Sequence, residues 1–119
     1  MARTFDRQEL AKEIVRYVRS ERNYRNINLN RDEVSGYLGI TNPMLSSIVH
    51  VELKTTFTDL VNKYRVEYAH RLLLAADTEL PLEDIAVMSG FSNRMTMHRT
   101  FVKVYGMSPG KIRTTNNKE

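Results

Sequence analysis

Cysteine is absent from the 119-residue chain, and so is tryptophan. Without cysteine there is no disulfide, no thiol nucleophile and no thiolate metal site. The three histidines, His50, His70 and His98, lack metal-ligand spacing with one another. No metal and no cofactor are expected. Glycine numbers five and proline three, and no phosphate-binding glycine loop is present. Long apolar runs are also missing. A run such as Leu72-Leu73-Leu74-Ala75-Ala76 falls far short of the ~18 residues that cross a bilayer, and the N-terminus carries no apolar signal segment. The expectation is a soluble, cytoplasmic protein with no membrane partner.

One motif nominally points to catalysis. Gly106-Met107-Ser108-Pro109-Gly110 fits the Gly-x-Ser-x-Gly pattern of a nucleophile elbow. That elbow uses the N–H after the serine for its oxyanion hole, and Pro109 has none. No Asp or His follows Ser108 to complete a triad. No catalytic residue is expected, and the chain does not read as an enzyme.

What is present is charge and helical pattern. Charged residues make up 27% and hydrophobic residues 41%, proportions of a globular chain rather than a disordered one. The length suits one compact domain over residues 1–119, with too few residues for two independent cores. The net charge of +4 is spread unevenly. Residues 1–25 carry seven Lys/Arg against four acids and residues 89–119 six against one, while 26–60 carry two against four and 61–88 three against five. A polyanion would meet the two ends first. Charge alone favours a solvated mixed surface, so the pattern has to decide.

Apolar residues at Leu10, Ile14, Tyr17 and Val18 give the one-face spacing of an amphipathic helix from Asp6 to about Arg22, with Lys12, Arg16 and Arg19 on the opposite stripe. The polar stretch Asn23 to Leu29 reads as a loop. A short helix follows from about Arg31 to Leu38, ended by Gly39. Thr41-Asn42-Pro43 combines a capping oxygen with a proline in the first turn, and opens a third helix to about Leu53. Thr56-Phe57-Thr58-Asp59 resembles a capping box ahead of a long helix to about Ala76, whose buried stripe is expected at Val61, Tyr64, Tyr68, Leu72 and Leu73. Asp77 to Pro81 reads as a turn. Then come a short helix to Ser89, a helix from about Asn93 to Tyr105 closed by Gly106, and a short turn from Ser108-Pro109 through Arg113. The tail from Thr114 reads as frayed. The fold class is all-α, with about seven helices and no strand.

Two segments 51 residues apart repeat one pattern: Glu33-Val34-Ser35 with Gly39-Ile40, and Asp84-Ile85-Ala86 with Gly90-Phe91. In each, a small residue sits four before the glycine, where a short helix can pack closely on the next. Each is followed by an apolar pair four apart, Leu45/Val49 and Met97/Phe101. This is helix-turn-helix logic stated twice. A generic helical hairpin shares the small-x-x-x-Gly element, but the duplication around one long helix favours the former.

From about Asn28 to Arg113 the chain resembles the DNA-binding domain of the AraC/XylS family of bacterial transcription regulators. The most specific match is Ile85-Ala86-x-x-x-Gly90-Phe91 followed by Arg99-x-Phe101-x-Lys103-x-x-Gly106-Met107-Ser108-Pro109-x-x-Ile112-Arg113, and a second is Tyr64-Arg65-x-x-x-Ala69-x-x-Leu72-Leu73. The phrases around Asn23-Tyr24 and Leu45-Ser46 resemble a subgroup common in Bacteroidetes. The resemblance implies two helix-turn-helix subdomains, residues 6–57 and 78–115, joined by a linker helix over 58–77, with a tail at 116–119. It further implies a monomeric module, associated with the nucleoid, that binds two successive major-groove segments of double-stranded DNA and has RNA polymerase as a second partner. Three positions depart from the family pattern. Lys54 stands where glycine is usual, a helix end that costs about 1 kcal/mol if left-handed. Met97 replaces an aromatic residue or leucine, and Ser47 stands where many members carry arginine, which implies weaker readout by the first half.

A recognition helix offers its N-terminal and outward side chains to base edges. In the second unit these are Asn93, Arg94, Met95, His98 and Arg99. Arginine can pair with guanine and asparagine with adenine, and Met95 can touch a thymine methyl. Lys103, Lys111 and Arg113 are expected at phosphates, although Arg113 could instead tie the last turn to the linker helix. In the first unit the outward set is Asn42, Pro43, Met44, Ser46, Ser47 and His50, without any Arg or Lys; Asn42, Ser46, Ser47 and His50 are its base-reading candidates. The stripe Lys12, Arg16, Arg19 fits a solvated helix face or a phosphate contact. The competing reading is a helical protein-interaction module that has lost DNA binding, and salt-dependent retention on duplex DNA separates the two.

Overall fold

The computed structural model describes residues 6–75 and 79–116, and every regular element among them is helical. The elements are α1 (Arg7–Val18), α2 (Glu21–Tyr24), α3 (Arg31–Leu38), α4 (Asn42–Glu52), α5 (Phe57–Leu74), α6 (Leu82–Met88), α7 (Arg94–Tyr105) and α8 (Pro109–Asn116). Eight helices stand among the described residues where about seven were expected. Asp77 and Thr78, in the expected turn, and Ala76 lie outside the described residues.

The helix starts follow from local chemistry. Asp6, Asn30, Thr41, Thr56 and Asn93 each cap a helix by accepting from a backbone N–H in its first turn. The two repeated turns are closed in the same way. Gly39 (φ 71°) and Gly90 (φ 99°) take positive φ, and the next residue donates back across the helix end, Ile40 N–H to Ser35 O at 3.0 Å and Phe91 N–H to Ala86 O at 2.9 Å. Ser35 and Ala86 are buried, as close packing at the turn requires.

Three boundaries differ from the expectation, the smallest being the long helix, which ends at Leu74 because Ala75 is extended (φ −66°, ψ 125°) rather than running to about Ala76. The first helix does not run on to Arg22, because Ser20 is extended (φ −64°, ψ 125°) and Asn23 Nδ2 donates to Tyr17 O at 2.9 Å. The break redirects the chain into α2 and buries Tyr24, and Leu29 is buried as well, so the stretch expected to be a polar loop supplies two core residues. At the other end the short turn is a helix to Asn116, with Thr114 Oγ1 bonded to Gly110 O at 2.9 Å, so residues 114–116 are not frayed.

The single core expected from chain length is divided. One cluster gathers Leu10, Ile14, Val18, Tyr24, Val34, Leu45, Ile48 and Val49 with Phe57, Leu60 and Val61 of α5; the other gathers Ile85, Ala86, Phe91, Met97, Phe101 and Ile112 with Val66, Ala69 and Leu73 of α5. The long helix therefore has no single apolar stripe. Its first turns face one core and its last turns the other, while Tyr64, Tyr68 and Leu72, expected in one stripe, are only half-buried. The result is an elongated body of 61 × 22 × 21 Å in which α5 joins the two cores. No helix among the described residues is long and apolar enough to cross a membrane.

Candidate nucleic-acid interface

Each core carries one helix-turn-helix pair, α3 with α4 and α6 with α7. In the second, Met97, Thr100 and Phe101 turn inward. That leaves Arg94, Met95, His98, Arg99 and Val102 exposed at the i, i+1, i+4, i+5, i+8 spacing of one face. Met95 is 60% exposed, and Arg99 Nη2 reaches its sulfur at 3.3 Å. Asn93 caps α7: its Oδ1 accepts from Thr96 N–H at 2.8 Å and from Thr96 Oγ1 at 3.0 Å, so only its amide NH2 remains to donate outward.

Arg94 is paired with Glu83 of α6 at 3.0 Å. Glu83's own backbone N–H and then this guanidinium hold its carboxyl below the ordinary carboxylate value. The pair lies in solvent and is exchangeable for a nucleic-acid acceptor. Lys103 is engaged farther along the helix, with Nζ 2.9 Å from both carboxylate oxygens of Asp59 on α5. Lys111 is exposed. Arg113 is half-buried, and its Nε and Nη2 are buried without a hydrogen-bond partner among the described residues. Most of its fork is thus withdrawn from solvent.

The first unit is assembled from shorter groups that bind one another. Asn42 donates from Nδ2 to Asp32 Oδ1, and its Oδ1 accepts from Ser35 Oγ at 2.6 Å, so both halves of the amide face α3. Ser47 Oγ accepts from Arg7 Nη2 at 2.8 Å, and Arg7 also reaches Glu52 at 3.3 Å. Ser46 and Met44 are half-buried, and Pro43 and His50 are exposed. The α1 cations Lys12, Arg16 and Arg19 are exposed on the side away from Leu10, Ile14 and Val18, and Lys12 pairs with Glu9 at 3.5 Å. Sequence reasoning did not single out Glu83, Asp59 or Arg7 as the partners of Arg94, Lys103 and Ser47. No spacing rule joins positions so far apart in the chain.

Residues 34–115 match a family model described as a helix-turn-helix domain. The chain belongs to the AraC-type family of helix-turn-helix transcription regulators. It is 33% identical over 85 residues to an uncharacterized helix-turn-helix transcriptional regulator of Bacillus subtilis, YtdP, a match that covers 71% of this chain and 11% of YtdP. The chain thus spans about a tenth of the length of that relative. Among solved structures, the C-terminal domain of AraT, a response regulator from Geobacillus stearothermophilus, superposes with a TM-score of 0.78 at 29% identity, covering 89% of this chain and 84% of that one. The DNA-binding domain of the global transcriptional factor AdpA, in complex with a target DNA, shares the fold with a TM-score of 0.74 at 15% identity, covering 88% and 90%. The AraC-type family consists of DNA-binding regulators and not of enzymes, and the two similar halves described above are its architecture.

Proposed function

We propose that this AraC-type domain binds double-stranded DNA by presenting α7, and more weakly α4, to successive major-groove segments. The observation that carries the reading is the exposed face of α7, where Arg94, Met95, His98 and Arg99 form one continuous stripe at the start of the second helix of a helix-turn-helix pair. Such a stripe suits bidentate contact with guanine and apolar contact with a thymine methyl. Asn93 adds a donor at the helix start. Lys111 and Lys103 contact phosphate, Lys103 by exchanging Asp59 for it, and the exposed edge of Arg113 lies beyond them.

In the first unit Ser46 and His50 reach the DNA directly, whereas Asn42 and Ser47 must first leave their partners. The chain acts as a monomeric module, in the cytoplasm at the nucleoid, and regulates transcription together with RNA polymerase. Selection of bound sequences from a random duplex pool tests the reading, combined with retention on the selected duplex at several salt concentrations. A recovered motif and a log-linear fall of affinity with salt are expected. Salt-independent retention without a motif would point to the protein-interaction module instead.

A further inference from the structure

The two helix-turn-helix units meet at the turn between α6 and α7, and the meeting is made by residues that the DNA reading does not use. Gly90 of that turn is buried at φ 99°. A Cβ placed on it would collide with the Tyr24 carbonyl oxygen and stand 2.8 Å from Arg25 Cα and 2.9 Å from Arg65 Nε. The turn therefore lies directly on the C-terminal end of α2, which belongs to the first unit.

Two arginines close the joint, one from α5 and one from the end of α2. Arg65 of α5 donates from Nε to Tyr24 O at 2.6 Å and from Nη2 to Asn26 O at 2.8 Å, taking two carbonyls at the end of α2. Arg25 reaches across to α6, donating from Nε to Met88 O at 2.5 Å, while its guanidinium lies 4.4 Å over the Tyr68 ring of α5. Arg25 Nη1 also pairs with Glu21 at 2.8 Å. A chain of contacts thus runs from α5 through Arg65 to α2, and from α2 through Arg25 to the end of α6, at the turn that leads into α7.

Leverage gives this joint its consequence. Arg65 stands halfway along α5, so about 13 Å of helix carries the second unit beyond it, and a rotation of ~15° at the joint displaces that unit by about 3.5 Å. That is about one base-pair step of ~3.4 Å. We propose that Arg65 and Arg25, closed on Gly90, are positioning residues that hold α7 in register with α4 and so set the spacing between the two DNA segments the protein accepts. The inference rests on the proposed docking of both units.

The test uses the whole chain and the variants Arg25→Ala, Arg65→Ala and Arg65→Lys. Because the chain has no cysteine, nitroxide labels at Gln8→Cys on α1 and Val104→Cys on α7 report the separation of the units without DNA. The unaltered joint should give one narrow distance distribution, and both alanine variants a distribution at least twice as wide. In selection from random duplex pools, the unaltered chain should recover two segments at one spacing. Each alanine variant should recover the same segments at three or more spacings, and Arg65→Lys, which keeps one donor but not the fork, should fall between. If Arg65→Ala does not retain its helix content, Arg25→Ala decides, since that side chain is 33% exposed and lies at the rim of the joint.

Distance distributions and spacings as narrow in the alanine variants as in the unaltered chain, with or without a lower melting temperature, would overturn the proposal and leave the arginines a purely local role. Should the unaltered chain select no two-segment motif, the DNA reading fails on its own, and the labelled pair still decides whether the joint fixes the two units.

Discussion

Removing the free contacts of the first unit should straighten the DNA more than it weakens the complex. Adjacent major-groove faces lie about 34 Å apart on straight B-DNA, whereas the 18 residues of α5 span about 27 Å. Docking both units therefore bends the duplex, at a cost on the order of 1–6 kcal/mol. Few contacts oppose that cost. Asn42 is engaged by Asp32 and Ser35, and Ser47 by Arg7, which leaves Ser46 and His50. Two neutral hydrogen bonds contribute about 1–3 kcal/mol together.

The two contributions nearly cancel, so the first unit adds little net affinity while it holds the bend. Ser46→Ala with His50→Ala should lower affinity by no more than about 1 kcal/mol, roughly five-fold, yet reduce the bend measurably. Gel-shift titration at fixed salt reads the affinity, and circular-permutation mobility reads the bend on the same duplex. Arg94→Ala, measured alongside, should weaken binding more. An undiminished bend with a tenfold or larger loss of affinity would refute this ranking of the halves, and so would equal information in both segments of the selected motif.

Arg94→Ala and Arg99→Ala should each weaken specific binding by roughly 1–3 kcal/mol and relax the preference at one position, whereas Lys111→Ala should weaken all sequences alike and lower the salt slope by about one; unchanged sequence preference in both arginine variants would exclude α7 as the reading helix. Lys54 holds φ 55° at the end of α4, a left-handed conformation that costs a side chain about 1–2 kcal/mol, less the ~0.4–1 kcal/mol of unfolded-state entropy that glycine adds. Lys54→Gly should therefore raise stability by up to about 1.5 kcal/mol in urea denaturation, and a destabilised variant would contradict the strain. Tyr17 donates to Glu33 at 2.6 Å, and chiefly through that bond its pKa is pushed up from 10.0 to about 12; burial pushes Tyr24 and Tyr105 up as well. Between those values the unfolded chain releases protons that the folded one keeps, so stability is full below the unfolded value and falls as pH rises through the folded one. Urea midpoints should drop from pH 10 toward pH 12, and less steeply in Tyr17→Phe.

Much of the architecture was legible in single residues because its causes are local. A capping oxygen at Thr41, Thr56 or Asn93 and a glycine at 39 or 106 act on backbone groups within one turn, so the sequence marks those helix ends directly. The repeat was legible for the same reason: Ser35/Gly39 and Ala86/Gly90 make the same turn with the same hydrogen bond. Lys54 stands where the resemblance places a glycine, and it keeps the positive φ of that position rather than a different helix end.

Tertiary structure decided where distant segments compete. Periodicity carried the first helix to Arg22, but burying Tyr24 beside Tyr64 and Tyr68 of α5 required a break at Ser20. One stripe on α5 looked sufficient until two cores formed on different sides of it. The candidate interface divides in the same way. The outward face of α7 follows from helical spacing, which depends on neighbours three and four residues away. The engagement of Arg94 by Glu83, of Lys103 by Asp59, and of the inter-unit joint by Arg25 and Arg65 depends on groups 11 to 63 residues distant. An ion pair or a carbonyl partner is chosen by proximity in space, and only the packed helices create that proximity.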